Sequence, residues 1–295
     1  MREERVAAKV PARPYLLGSY FIMKTVKRYF IAAACALILA PAVRADQAEA
    51  YKYAVEGREA AKNKQWEKAI GFFQKAVKAD PKEANNYNNL GLAYKGAGKV
   101  DEAIKAFGDA IQAEPNDPAG YLNRGVAYSS QQKYDKAIED FDHLIKEDAS
   151  NIAAHRYRAF AYLQTQQWQK AVDDYDAVLK EKSNDDAVLD RRAFAYWNMK
   201  EYDKALADFS KIIEHKPNDK EAYLNRSYVY ELQHDFQKGV ADCDKVLSLD
   251  PNNADAKNRK ARLEILQKTP TPTPTPRPRR VMPPDETPTP QPKKP

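Results

Sequence analysis

A period of 34 residues constrains this chain more than any other feature. Pro81, Pro115, Pro217 and Pro251 are separated by 34, 102 and 34 residues, all multiples of one length. Six gapless units follow, beginning at Ala50, Ala84, Pro118, Ile152, Asp186 and Lys220. Equal units of this size fold as an array of one supersecondary element rather than as one or two globular domains. In the second unit, Tyr87, Leu90, Gly91, Tyr94, Ala103, Phe107, Ala110 and Pro115 hold positions 4, 7, 8, 11, 20, 24, 27 and 32. Across the units position 8 is small (Gly57, Gly91, Gly125, Ala159, Ala193, Ser227), and so is position 20 (Ala69, Ala103, Ala137, Ala171, Ala205, Gly239). Small residues there let two antiparallel helices approach closely. Larger groups fill the gaps: position 11 is Tyr in five units, and position 24 is Phe or Tyr in five, with Cys243 the exception. Spacings of three and four place these residues on one helical face. Each unit is therefore a helical hairpin whose apolar side it cannot bury alone, and neighbours must stack.

The pattern resembles the tetratricopeptide-repeat (TPR) signature over residues 50–253. The resemblance implies an all-α fold, a right-handed superhelical solenoid of antiparallel helix pairs, here over residues 46–268 with repeats 50–83, 84–117, 118–151, 152–185, 186–219 and 220–253. Two departures stand out: Ala149 and Ser183 replace the proline of position 32, which is expected to loosen those turns. Residues 254–268 keep the small Ala261 but are heavily charged, and read as a solubilising cap helix.

Two positions change together. Position 7 is Arg124, Arg158, Arg192 and Arg226 in units three to six, and the same units carry Asp140, Asp174, Asp208 and Asp242 at position 23. Units one and two have neither, with Glu56 beside Phe72 and Leu90 beside Ala106. The joint change predicts an ion pair joining the two helices of a hairpin. The alternative is an arginine row that receives an acidic ligand.

The two ends are not part of the array. From Met23 a basic stretch, an apolar run from Tyr29 to Ala42 and the triplet Val43-Arg44-Ala45 read as a secretory signal peptide cleaved before Asp46, with Met23 a better start than Met1. The apolar run is short of the ~20 residues that span a bilayer. The chain is thus expected in the periplasm or outside the cell, with no stable membrane insertion after cleavage. From Thr269 to Pro295 proline recurs at nearly every second position, a composition that favours solvated polyproline II, and the segment reads first as a spacer. The chain carries a net +6, but the two ends hold much of it: the body between them has 35 basic and 38 acidic side chains. Nucleic acid needs a clustered basic face, which that body lacks by count. With Cys243 as the one cysteine beyond the signal segment, stability rests on packing rather than on a disulfide.

The sequence shows no constellation for catalysis, metal or cofactor. His143, His155, His215 and His234 fall on different units without paired ligand spacing. Cys243 takes a core position, and the acidic run at Asp173, Asp174 and Asp176 sits in a helix without the glycine of a calcium loop. The sequon at Asn225 also falls within a helix. No enzyme activity or cofactor is expected, and the partner is another protein.

The resemblance implies that a ligand lies in the concave groove lined by positions 2, 5, 6, 9, 12 and 13 of each first helix. Position 6 gives Asn89, Asn123 and Asn225, with Tyr157 and Arg191 between them, and position 9 gives Phe160, Phe194 and Tyr228. Trp197 at position 12 and Arg156 at position 5 join them. Amides both donate and accept, so they pair with a ligand backbone whatever its sequence. Aromatics with interspersed arginines suit an extended peptide segment. The competing reading of position 9 is sideways packing onto the neighbouring helix. The family's carboxylate clamp is not matched, since of Ala54, Arg58, Asn89, Ala119 and Asn123 only Asn89 fits. Two arrangements remain at this level: an adaptor that holds a partner's extended segment, or a structural module that self-associates with its groove unused. The oligomeric state stays open between them.

Overall fold

The computed structural model describes residues 46–268. The signal-peptide and tail expectations fall on residues 1–45 and 269–295, outside that range. The described residues form α1 (46–62), α2 (Trp66–Ala79), α3 (Ala84–Gly96), α4 (Val100–Ala113), α5 (Pro118–Ser130), α6 (Tyr134–Glu147), α7 (Ile152–Gln164), α8 (Trp168–Glu181), α9 (Asp186–Asn198), α10 (Tyr202–His215), α11 (Lys220–Leu232), α12 (Phe236–Leu249) and α13 (Ala254–Lys268). Six helix pairs and a final single helix stack in chain order, each helix packed mainly on its two neighbours, in an all-α solenoid. The first helices of successive pairs also touch, α3 with α5 and α5 with α7, which places them on the inside of the curve.

Both joints of the repeat have a local cause. Within each pair, position 15 takes positive φ: Lys64, Gly98, Gln132, Gln166, Lys200 and His234 lie between 56° and 77°. The next residue's amide then reaches back to the carbonyl of position 11, as Lys99 does to Tyr94 at 2.9 Å and Glu201 to Tyr196 at 2.9 Å. This is a helix-ending Schellman turn, which satisfies carbonyls the helix leaves open. Between pairs, position 34 supplies the next N-cap: Asp117, Asn151, Asp185, Asp219 and Asn253 accept from first-turn amides. The turns that lack proline keep the same backbone bond, Asn151 to Asp148 at 3.1 Å and Asp185 to Lys182 at 3.3 Å, beside Asp219 to Lys216 at 3.0 Å.

The core of each of the first five pairs is the aromatic of position 24, with Phe73, Phe107, Phe141, Tyr175 and Phe209 essentially inaccessible. Each such side chain contributes roughly 1.5–3 kcal/mol of burial. It crosses the partner helix at position 8, and there glycine is needed in the early pairs. A Cβ on Gly91 would lie 2.4 Å from the Phe107 ring, and one on Gly57 2.6 Å from Phe73. In the last pair Ser227 and Cys243 share that crossing, with Oγ and Sγ 3.3 Å apart.

The paired change at positions 7 and 23 is an ion pair in all four units. Arg124 donates from Nε and Nη2 to Asp140 at 3.0 and 2.7 Å, Arg158 to Asp174 at 2.8 and 2.7 Å, Arg192 to Asp208 at 2.9 and 2.6 Å, and Arg226 to Asp242 at 2.9 and 2.7 Å. Three of these residues reach back one pair as well. Arg158 Nη1 meets Asp142 at 2.6 Å, Arg192 Nη1 meets Asp176 at 2.5 Å, and Arg226 Nη1 meets Ser210 Oγ at 3.0 Å. Lys260 of α13 continues the row to Asp244 at 2.6 Å. The arginines are thereby engaged within the chain, and the acidic-ligand reading of this row is set aside. Burial pushes the Asp140, Asp208 and Asp242 carboxyls up against the pull of their guanidiniums, while hydrogen bonding to the aspartates raises Arg124, Arg158 and Arg226.

Candidate functional site

The inner face of the first helices carries the expected groove residues, and its members divide by what they already touch. Position 9 packs sideways. Phe160 meets Tyr134 of the preceding pair edge-on at 6.4 Å between ring centroids, and Phe194 meets Trp168 at 6.0 Å. Tyr157 goes further inward than a groove anchor would. It is buried with its ring stacked on Phe141 at 5.9 Å and 22°, in the contact between the third and fourth pairs. That placement has a simple reason: an aromatic at position 6 faces the position 24 aromatic of the preceding pair, and stacking removes both from water.

The later helices present a different surface. Phe194 meets Trp197 at 5.4 Å and 90°, Trp197 meets Tyr228 at 4.6 Å and 64°, and the Arg259 guanidinium lies 4.7 Å over Tyr228. Phe194 and Trp197 are half-buried, whereas Tyr228 is buried. The result is one edge-to-face aromatic run from α8 through α9 to α11, closed by the Arg259 guanidinium of α13. Such contacts favour the T-shaped geometry because ring edges are positive and ring faces negative.

The polar groove residues also divide. Arg156 is ion-paired with Asp185, the N-cap of α9. Burial pushes the Asp185 carboxyl up, but Arg156 outweighs this and holds it below the ordinary range. Arg191 is buried, with its guanidinium 5.9 Å over the Phe160 ring. Asn225 is buried, and its Nδ2 donates to Asp190 Oδ1 at 3.3 Å. Asn89 and Asn123 are half-buried on α3 and α5, and no other described side chain is hydrogen-bonded to their amides. Of the expected asparagine ladder, the structure therefore leaves its first two members presented and ties the third into the repeat.

Sequence reasoning missed the charged closure at the last helix. Glu231, at position 12 of the sixth unit and 3% exposed, accepts from Arg259 Nη1 at 2.9 Å and from Arg262 Nε at 2.8 Å. The signal for it was the acid in a row that elsewhere reads Ala61, Lys95, Ser129, Leu163 and Trp197. Among the described residues no group of three or more His, Cys, Asp or Glu side chains could hold a metal ion, and no helix is long and apolar enough to cross a membrane.

Family models described as tetratricopeptide repeat match residues 88–152, 122–187, 187–219 and 220–253. The chain belongs to the tetratricopeptide-repeat family. No curated protein matches this TPR chain. Solved structures do. A TPR protein from Parabacteroides merdae superposes with a TM-score of 0.60 at 20% identity, covering 75% of this chain and 87% of that one. YrrB, described as a TPR protein with an unusual peptide-binding site, gives 0.58 at 18% identity over 64% of this chain and 97% of its own. PilF of Pseudomonas aeruginosa gives 0.59 at 14% identity over 74% and 99%. These likenesses establish the fold, an array with an extended curved surface.

Proposed function

We propose that this TPR chain is an exported adaptor that holds an extended segment of a partner protein along the inner face of α3 to α11. The observation that carries the reading is the half-buried Trp197, set between Phe194 and Tyr228, on the same face as the presented amides of Asn89 and Asn123. A rigid aromatic supplies contact area at small conformational cost, and an amide pairs with a peptide backbone regardless of its side chains. Tyr157 and Phe160 are spent on packing between pairs. YrrB offers a precedent for a peptide site on the same fold.

The test starts from a photo-crosslinking residue at position 123, used to identify the segment held in the groove. Trp197→Ala is then expected to weaken that segment by at least ~1–2 kcal/mol, the usual size for a buried interface anchor, with helix content unchanged. Full affinity in both Trp197→Ala and Asn123→Ala chains would move recognition to the outer face or the edges. Export is carried by the segment ending at Ala45. Intact mass of the protein from its host is expected to place Asp46 at the amino terminus, and a product retaining Met23 would remove that part.

A further inference from the structure

We propose that the inner face between α3 and α5 receives an acidic side chain of the partner segment, with the Lys95 ammonium as its counter-charge. The inference rests on the groove reading above and adds a requirement on the ligand's sequence. Three side chains whose polar atoms lack partners carry it.

Lys95 on α3 is half-buried and stands at position 12, the register that Trp197 takes on α9. Among the described residues it makes neither an ion pair nor a hydrogen bond. Burial pushes its ammonium down from the ordinary lysine value, and no acid opposes that. The inner cations of α7 and α9 are engaged by contrast, Arg156 with Asp185 and Arg191 over the Phe160 ring. A partly desolvated charge without a counter-charge is costly, and a ligand carboxylate relieves that cost. Two further atoms converge on the same stretch. Asn88, 5% exposed and two turns earlier on α3, donates from Nδ2 to Asp117 at 3.2 Å, but its Oδ1 is buried without a partner. Ser129, at the Lys95 register of α5, has its Oγ buried without a partner. α3 and α5 touch, and helices in contact lie ~8–10 Å apart, so one ligand residue can meet side chains from both. Buried polar atoms are as a rule bonded. Here Asn88 Oδ1 can accept from a ligand amide, while Lys95 and Ser129 Oγ donate to a carboxylate. Position 12 is not a carboxylate-clamp position, so the mismatch to that clamp does not bear on this site. From Lys95 to Trp197 is three helix-to-helix steps, about 25 Å, or roughly eight residues of extended chain at ~3.3 Å each. The ligand is a segment with Asp or Glu at about that distance from a large apolar residue.

A pool of random peptides of about sixteen residues, twice that spacing, is displayed on phage and selected on the purified chain. The expected result is a set of peptides with Asp or Glu at a fixed distance from an apolar residue. Selection on a Lys95→Glu chain is expected to put Lys or Arg in place of the acid, and selection on a Trp197→Ala chain to keep the acid and lose the apolar residue. An acidic peptide from the first selection is expected to bind a Lys95→Met chain about tenfold more weakly than the unaltered chain, the size of one hydrogen bond to a charged group. Helix content stays unchanged, and Lys95→Arg keeps most of the affinity. Replacing the peptide's acid by its amide is expected to cost the unaltered chain the same factor and the Lys95→Met chain little. This cycle does not depend on the folding of the Lys95→Glu chain. Selected peptides without an acid, an acid still preferred by the Lys95→Glu chain, or additive losses in the cycle each overturn the proposal and leave the adaptor reading standing. Failure to select any peptide overturns the adaptor reading, and the acid site falls with it.

Discussion

The first two helix pairs and the last four reach one hairpin geometry by different means. In α1 to α4, positions 7 and 23 are Glu56 and Phe72, then Leu90 and Ala106, and the close crossing depends on Gly57 and Gly91 beneath the rings of Phe73 and Phe107. In α5 to α12 each pair carries a two-bonded arginine–aspartate link whose acid is almost wholly buried, and from the fourth pair on position 8 holds Ala159, Ala193 or Ser227. The comparison separates geometry from energy. Pairs without the link form the same hairpin, so the link is not what makes the helices antiparallel. Taking two charges out of water costs about what their attraction returns. What the link adds is a strict demand on its partner, and hence on register.

The largest expected effect breaks the link on one side. Arg192→Leu strands Asp208, 3% exposed at its side chain, and is expected to destabilise the protein by ~3–5 kcal/mol. Adding Asp208→Ala is expected to recover a substantial part of that loss, read by urea denaturation of the single and double variants. Additive costs in that cycle would show that the two residues do not act as a pair. A smaller effect probes the other half of the comparison. Gly91→Ala drives a methyl group into the Phe107 ring and is expected to cost ~1–3 kcal/mol through overpacking. A neutral outcome, measured by the same denaturation, would mean that the early pairs tolerate alanine at this crossing as the later pairs do.

Much of this was legible in the sequence, and the residues that were not share one cause. The period placed helix starts at Ala84, Pro118, Ile152, Asp186 and Lys220, where the helices do begin. The linked pairs were legible because two positions varied together within one chain. The inner face was legible by position but not by depth. Tyr157 sits at a groove position, yet its depth depends on Phe141 in another unit, 16 residues earlier, and the period alone does not report that contact. Arg156, Asn225 and Glu231 were hidden in the same way, since their partners Asp185, Asp190, Arg259 and Arg262 lie 28 to 35 residues away. A repeat makes equivalent positions look alike, and their chemistry is decided by the unit next door.

The backward reach of Arg158, Arg192 and Lys260 to Asp142, Asp176 and Asp244 bears on how the array comes apart. In a linear array, stability is a sum of terms within each unit and terms between neighbours, and the balance of the two sets cooperativity. Each of these cations binds acids or neighbours in two units at once, so opening one pair weakens the next. The later pairs and their cap are thus expected to open as a single cooperative block. The second pair offers Gly108 where Asp142 and Asp176 stand later, so Arg124 has no acid to reach back to there, and the first two pairs are the end from which fraying is expected to begin.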